Sequence, residues 1–108
     1  RGDGEQRRDF TYVGDVVEAN MQVGFDKNPL RGAVLNIGNG DNRSVNQIAD
    51  MIGGDRINVE PVVEPKETLA DNRQMMECFD WEPTGNLEKW IIKWKKDLGL
   101  WNIKIKKV

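Results

Sequence analysis

The side chains able to do chemistry are few, and the missing ones exclude the most. The 108 residues contain no His, so no Ser-His-Asp or Cys-His nucleophile pair can form and no imidazole general base exists. Cys78 is the single cysteine. It can close no intramolecular disulfide and build no zinc cluster, and its expected place is a small core site beside Phe79. Asp41-Asn42 near Asp50 lacks the spacing and the closing Glu of a calcium loop. Gly2-Asp3-Gly4 and Gly38-Asn39-Gly40 each fall short of a GxGxxG phosphate loop, so no cofactor is expected on this chain alone. Arg1-Gly2-Asp3 spells an adhesion tripeptide and Asn42-Arg43-Ser44 a glycosylation acceptor. Both are short enough to arise by chance in a chain without a signal-peptide pattern.

Composition sets the frame for these residues. A hydrophobic share of 38% with four Trp is too apolar for wholesale disorder, and the length allows one domain over residues 1–108 with a modest core. Net charge is −2, unevenly spread: residues 41–84 are predominantly acidic, whereas the end of the chain is rich in Lys. That pattern argues against a nucleic-acid surface covering the fold. No apolar run is long enough for a bilayer span. One thiol fits a reducing compartment, so a cytoplasmic location is expected. The polar, Gly-rich start at Arg1–Arg8 opens without Met, as in a chain cut from something longer.

The pattern predicts short strands alternating with helices in the order β-α-β-α-β-α-α, an α/β class. Asp9–Val13 alternates polar and apolar residues and reads as a strand. Asp15 is placed to N-cap a helix that carries Val16, Val17, Ala19, Met21 and Val23 and stops at Gly24. A turn follows over Asn28-Pro29 and Arg31-Gly32. Ala33–Ile37 is an apolar run between glycines, the mark of a buried strand. Ser44, with Gln47 three residues later, forms a capping box for a helix that Gly53-Gly54 ends. Ile57–Glu60 reads as a strand, and Pro61 and Pro65 hold the next stretch extended. Asp71 is placed to cap a third helix carrying Met75, Met76 and Phe79. The last helix places Leu87, Trp90, Ile91, Trp94, Leu98 and Trp101 on one face and lysines on the other. Two readings of that helix compete: a Trp stripe packed on the domain, or a basic amphipathic surface for a membrane or a partner.

One stretch is more specific. Residues 2–17 read GDGEQRRDFTYVGDVV and resemble the pattern G-D-G-x-Q-x-R-D-F-x-Y-V-x-D-V-V of the extended short-chain dehydrogenases/reductases, the NAD-dependent nucleotide-sugar epimerases and dehydratases. The likeness continues in order. Leu35–Gly40 with Ser44–Ala49 is similar to the family's N-I-G-x-G loop and S-V-x-E-I helix. Glu64–Asn72 is similar to its E-x-x-x-T-x-A-D segment, and Phe79–Pro83 with Asn86–Glu88 to L-G-W-x-P and the helix after it. The nearest similarity is to UDP-glucose 4-epimerases.

The resemblance implies a Rossmann-type enzyme of which this chain is the C-terminal, nucleotide-sugar-binding portion. The NAD loop and the catalytic Tyr-x-x-x-Lys would belong to a missing N-terminal Rossmann portion. Position 16 is Val, so Tyr12 is not that Tyr, and the chain alone is expected to be catalytically dead, with NAD bound only in the complete enzyme. Substrate-binding roles fall by resemblance on Arg8, Gln6 and Glu64: Arg8 on the phosphates, Gln6 on the nucleotide, Glu64 on the ribose. A planar guanidinium suits the first role, gripping two oxygens at once. The competing reading of Arg8 is a surface ion pair with Asp9 or Glu5; Arg7 is expected to face solvent. Relatives carry a second phosphate-binding Arg in a P-R-x-E/D pattern, where this chain has Pro61-Val62-Val63-Glu64. Loss of one bidentate charged contact costs about 1.5–3 kcal/mol, ten- to a hundredfold in affinity, unless Lys66 or Arg56 compensates. The expected partners are a UDP-sugar or another nucleotide-sugar and, through exposed apolar surface near Val34–Ile37, a second copy of the chain. The other reading open at this point is a non-catalytic binding or self-association module.

Overall fold

The computed structural model describes residues 1–26 and 32–99. The elements run β1 (Arg7–Arg8), α1 (Val13–Phe25), β2 (Arg43–Ser44), α2 (Val45–Ile52), α3 (Arg73–Cys78) and α4 (Leu87–Asp97). The α/β class holds, but the strands are not the expected ones. β1 pairs antiparallel with β2, Arg7 opposite Ser44 and Arg8 opposite Arg43, and a single parallel bridge joins Arg7 to Glu67. Asp9–Tyr12, Ala33–Ile37 and Ile57–Glu60 are not strands. Strand-forming side chains do not make a strand without a backbone partner to complete the ladder. In the 33–37 segment Leu35 and Ile37 pack on the core, while Val34 is 86% exposed.

The helices follow the sequence more closely. Ser44 caps α2 as its spacing predicts: its hydroxyl accepts from the Gln47 amide at 3.0 Å, and its own amide donates to Gln47 Oε1 at 2.8 Å. Gly53 ends that helix at φ +81°, a left-handed geometry that suits glycine. α3 begins at Arg73, after Asn72 rather than Asp71. Asp71 instead meets the side chain and then the amide of Arg73, which together hold its carboxyl down at about 2. In α4 the Asn86 side chain accepts from the Lys89 amide at 3.0 Å. The Trp stripe packs only in part. Ile91 is buried and Leu87 and Trp94 half-buried, but Trp90 and Leu98 are exposed, and the Trp90 and Trp94 rings stack with centroids 6.2 Å apart. Trp101 and the Asn28–Arg31 part of the expected turn lie outside the described residues.

Asp15 does not cap α1; the helix begins two residues earlier, with Tyr12 at the cap position, and runs through Gly24 to Phe25. Asp15 is buried and reaches across the fold instead. Its carboxylate accepts from the Thr84 hydroxyl at 2.7 Å, the Thr84 amide at 3.0 Å and the Gly85 amide at 2.9 Å. Burial pushes its pKa up, but these hydrogen bonds outweigh it and hold the carboxyl below the ordinary range. The Asp15 carbonyl also takes the Trp81 indole N–H at 2.9 Å. Trp81, Ala19 and Met75 form the small core, with Leu35, Ile37 and Phe79 against it. Cys78, expected beside Phe79 in that core, is exposed because α3 turns it outward. On the far side of α1, Val13, Val17, Met21 and Phe25 recur every fourth residue and are 70%, 51%, 51% and 80% exposed.

Candidate functional site

The Gly2–Arg8 segment is threaded between two others by backbone hydrogen bonds. The Gly2 amide donates to Val59 O at 2.9 Å, the Val45 amide to Gln6 O at 3.0 Å and the Asn46 amide to Gly4 O at 2.9 Å. Gly4 suits the turn there: its φ of +75° is left-handed, and a Cβ would displace the Asn46 side chain. Further along, the Arg7 amide donates to Lys66 O at 2.8 Å and the Thr68 amide to Arg7 O at 3.1 Å. The Lys66–Thr68 stretch is thereby held alongside β1.

These backbone contacts bring together the three residues picked out from sequence. Arg8 Nη2 donates to Glu64 Oε2 at 3.2 Å and Gln6 Nε2 to Glu64 Oε1 at 3.1 Å, so both oxygens of one carboxylate are engaged. Arg8 Nη1 donates to Arg7 O at 2.7 Å, which fixes the plane of the guanidinium. The partner of Arg8 is Glu64, not Asp9 or Glu5. Beside them lies an open cleft of about 390 Å³ lined by Gln6, Glu64, Lys66, Pro61, Pro65 and the Arg1–Glu5 stretch. Of the two cations considered as substitutes for an arginine at Val62, Lys66 lines this cleft. Arg56 is paired with Asp50 and does not line it. The lining offers the Arg1 guanidinium, the Lys66 ammonium, the Gln6 amide and the carboxylates of Asp3, Glu5 and Glu64, with Arg8 bonded to Glu64 beside it, but no hydroxyl or thiol. Such a set can bind a polyanion and a sugar hydroxyl, and it holds no hydroxyl or thiol nucleophile. Among the described residues no group of three or more His, Cys, Asp or Glu could hold a metal ion.

Three supports of the site were not anticipated. Arg7 is half-buried rather than solvent-facing: its Nε donates to Asn42 Oδ1 at 2.9 Å and its Nη2 to Asn42 O at 3.2 Å. Asn42, a buried residue, also donates from Nδ2 to Glu67 Oε1 at 2.8 Å and to Thr68 O at 3.2 Å. Asp9 ties the end of β1 to two loops, accepting from the amides of Asn39 and Gly40 at 3.0 Å each and of Ala70 at 3.3 Å. It also accepts from the Thr11 hydroxyl at 3.0 Å. Nothing local in the sequence marks these residues, since the bonds that tie the segments together join positions 25 or more apart.

The chain matches the NAD dependent epimerase/dehydratase family over residues 1–38. It is 30% identical over 107 residues to the UDP-glucuronate 4-epimerase of Thermodesulfobacterium geofontis, covering 89% of this chain and 32% of that protein. Its backbone is similar to that of the UDP-glucuronic acid 4-epimerase of Bacillus cereus in complex with UDP-glucuronic acid and NAD. The TM-score is 0.75 at 32% identity, over 90% of this chain and 34% of that one. The UDP-glucose 4-epimerase of Thermotoga maritima with UDP-glucose is similar at TM-score 0.63 and 33% identity, over 90% and 34% of the two chains. The chain thus spans about a third of the length of the proteins it matches. A motif at residues 2–17 read from sequence, a family match over residues 1–38 that includes it and a shared backbone over most of the chain agree: the chain is similar to the NAD dependent epimerase/dehydratase family.

Proposed function

We propose that this chain is the nucleotide-sugar-binding portion of an NAD-dependent UDP-sugar epimerase or dehydratase, and that it holds the nucleotide diphosphate. The observation that carries the reading is the convergence of Gln6 and Arg8 on Glu64, at the edge of a cleft that also contains Lys66. On binding, the Arg8 guanidinium grips two phosphate oxygens, Lys66 adds a second positive charge, and Glu64 with Gln6 turns to the ribose hydroxyls. The bound diphosphate fixes where the sugar lies, which is the positioning part of catalysis.

The residues of this chain do not fit the dinucleotide itself. The glycine-flanked loop ahead of α2, Gly38–Gly40, has the amides of Asn39 and Gly40 bonded to the Asp9 carboxylate. An anion already fills the place where a phosphate would be cradled. Tyr12 has Val16 four positions on and no lysine. No proton or hydride step is assigned to this chain.

Calorimetric titration with UDP tests the reading. Binding that Arg8→Ala weakens ten- to a hundredfold, about 1.5–3 kcal/mol, supports it. UDP binding indifferent to Arg8, or no binding by a folded chain, overturns it.

A second reading is favoured by one observation. The exposed apolar row Val13, Val17, Met21 and Phe25 on α1 suits association with another protein surface, either the NAD-binding portion of the enzyme or a second copy of this chain. In that case the chain serves as an interaction module whether or not it binds nucleotide. Sedimentation over a range of concentrations separates the self-association form from a monomer.

A further inference from the structure

Arg8 and Glu64 are 56 residues apart, and neither lies on a long element that could fix their separation. β1 is two residues long, and the Glu64 segment is irregular. Two-residue pairings of this kind are weak by themselves. The backbone bonds of Arg7 to Lys66 and Thr68 lay the two segments side by side, and a buried side chain adds a second tie between them.

Successive side chains of a strand point to opposite faces. Arg8 therefore points to Glu64 only while Arg7 is held on the other face, and Asn42 holds it, with Oδ1 on Arg7 Nε and its carbonyl on Arg7 Nη2. The Nδ2 of the same side chain donates to Glu67 and to Thr68 O. Those two residues follow Lys66 directly and Glu64 by three and four positions. One buried amide thus joins the strand that carries Arg8 to the segment that carries Glu64 and Lys66, using both its acceptor and its donor ends. An amide is suited to this because it offers both functions without charge. It also lies against a guanidinium and a carboxylate, where hydrogen bonds to charged groups are at their strongest.

We infer that Asn42 is a positioning residue that sets the spacing between Arg8 and the Glu64–Lys66 segment. It touches no ligand and acts through Arg7 and Glu67. The inference rests on the nucleotide-binding reading for its effect on UDP, but not for its effect on the Arg8–Glu64 contact.

The test uses the 108-residue chain with two readouts: UDP affinity, and the NMR signals of the Arg8 guanidinium, whose Nη2 donates to Glu64. Asn42→Ala is expected to shift the Arg8 signal and weaken UDP about tenfold. Asn72→Ala is the control for mere loss of stability. Asn72 is also buried and donates to Gly38 O at 2.8 Å, away from the cleft, so both readouts should stay as in the parent. Asn42→Asp keeps the acceptor for Arg7 but sets a carboxylate against Glu67 and Thr68 O; the double variant Asn42→Asp/Glu67→Gln restores the pair with residue 67 alone and is expected to recover both readouts in part. If Asn42→Ala does not fold, the nearly isosteric Asn42→Asp takes its place in the comparison. An unmoved Arg8 signal with parental UDP affinity in the Asn42 variants overturns the inference. So does an Asn72→Ala that behaves like them. If the parent chain binds no UDP, the nucleotide reading fails, and the Arg8 signal alone decides on Asn42.

Discussion

Arg8 Nη2 lies 3.2 Å from Glu64 Oε2, with the two side chains 26% and 35% exposed. An ion pair this open to water adds at most about 1 kcal/mol to stability. Its value to the fold is small, yet it orients two groups suited to a phosphate and a ribose at the rim of one cleft. We therefore expect a split result for Arg8→Ala. Unfolding in urea should change by less than about 1 kcal/mol, while UDP affinity falls ten- to a hundredfold, about 1.5–3 kcal/mol. A large stability loss with unchanged binding would reverse the assignment.

Lys66 and Arg56 are distinguished by position. Lys66 lines the cleft, and Arg56 is held by Asp50 away from it. Lys66→Ala should weaken UDP about tenfold, with a shallower salt dependence than the parent, because one phosphate-facing charge is gone. Arg56→Ala should leave affinity unchanged. The measurement is the dissociation constant at two ionic strengths.

Asp15 gives the fold an acid limit. Its folded pKa lies below the ordinary 3.8, through the Thr84 and Gly85 hydrogen bonds that outweigh burial. A lowered carboxyl contributes stability that is present above the unfolded value and is lost as pH falls through the folded one. The parent chain should therefore lose stability as pH drops below about 4. Asp15→Asn should be weaker by about 1–3 kcal/mol at neutral pH, since it cannot accept all three bonds, and should lose part of that acid dependence. Urea unfolding at several pH values reads both effects.

The capping box of α2 is a local test. Ser44→Ala removes the acceptor for the Gln47 amide and should cost about 1 kcal/mol. Ser44→Asp should keep most of it. Thermal unfolding followed by far-UV circular dichroism measures the difference.

The exposed row on α1 should govern association. Val17→Lys and Met21→Lys place charge on side chains already about half in water, so folding should be retained while concentration-dependent sedimentation of the parent is reduced. Lysine variants that sediment as the parent does would remove α1 from the interface.

What the sequence made legible was local or motif-borne. The Ser44–Gln47 box and the Leu87–Asp97 helix depend on spacings of three and four residues, which a single sequence displays. Arg8, Gln6 and Glu64 were reached through a family pattern, and the structure brings them to one carboxylate. Asp15 was misjudged because an acidic residue near a helix start is ordinarily a cap, whereas here its partners are 69 and 70 residues on. Asp9 and Asn42 escaped notice for the same reason: their hydrogen bonds cross between segments, and side-chain type alone does not say which loop will arrive. The strands expected at 9–13, 33–37 and 57–60 have β-forming side chains, but pairing fell to Arg7–Arg8 and Arg43–Ser44, where backbones meet. Propensity yields to the availability of a partner strand.

The most direct test is an amide NMR spectrum of the chain, titrated first with UDP and then with a UDP-sugar. Dispersed peaks with shifts concentrated at Gln6, Arg8, Glu64 and Lys66 are the expected result, with a further change when the sugar is added. A dispersed spectrum that ignores both ligands, or that shifts only at residues remote from the Glu64 cleft, would contradict the nucleotide-binding assignment.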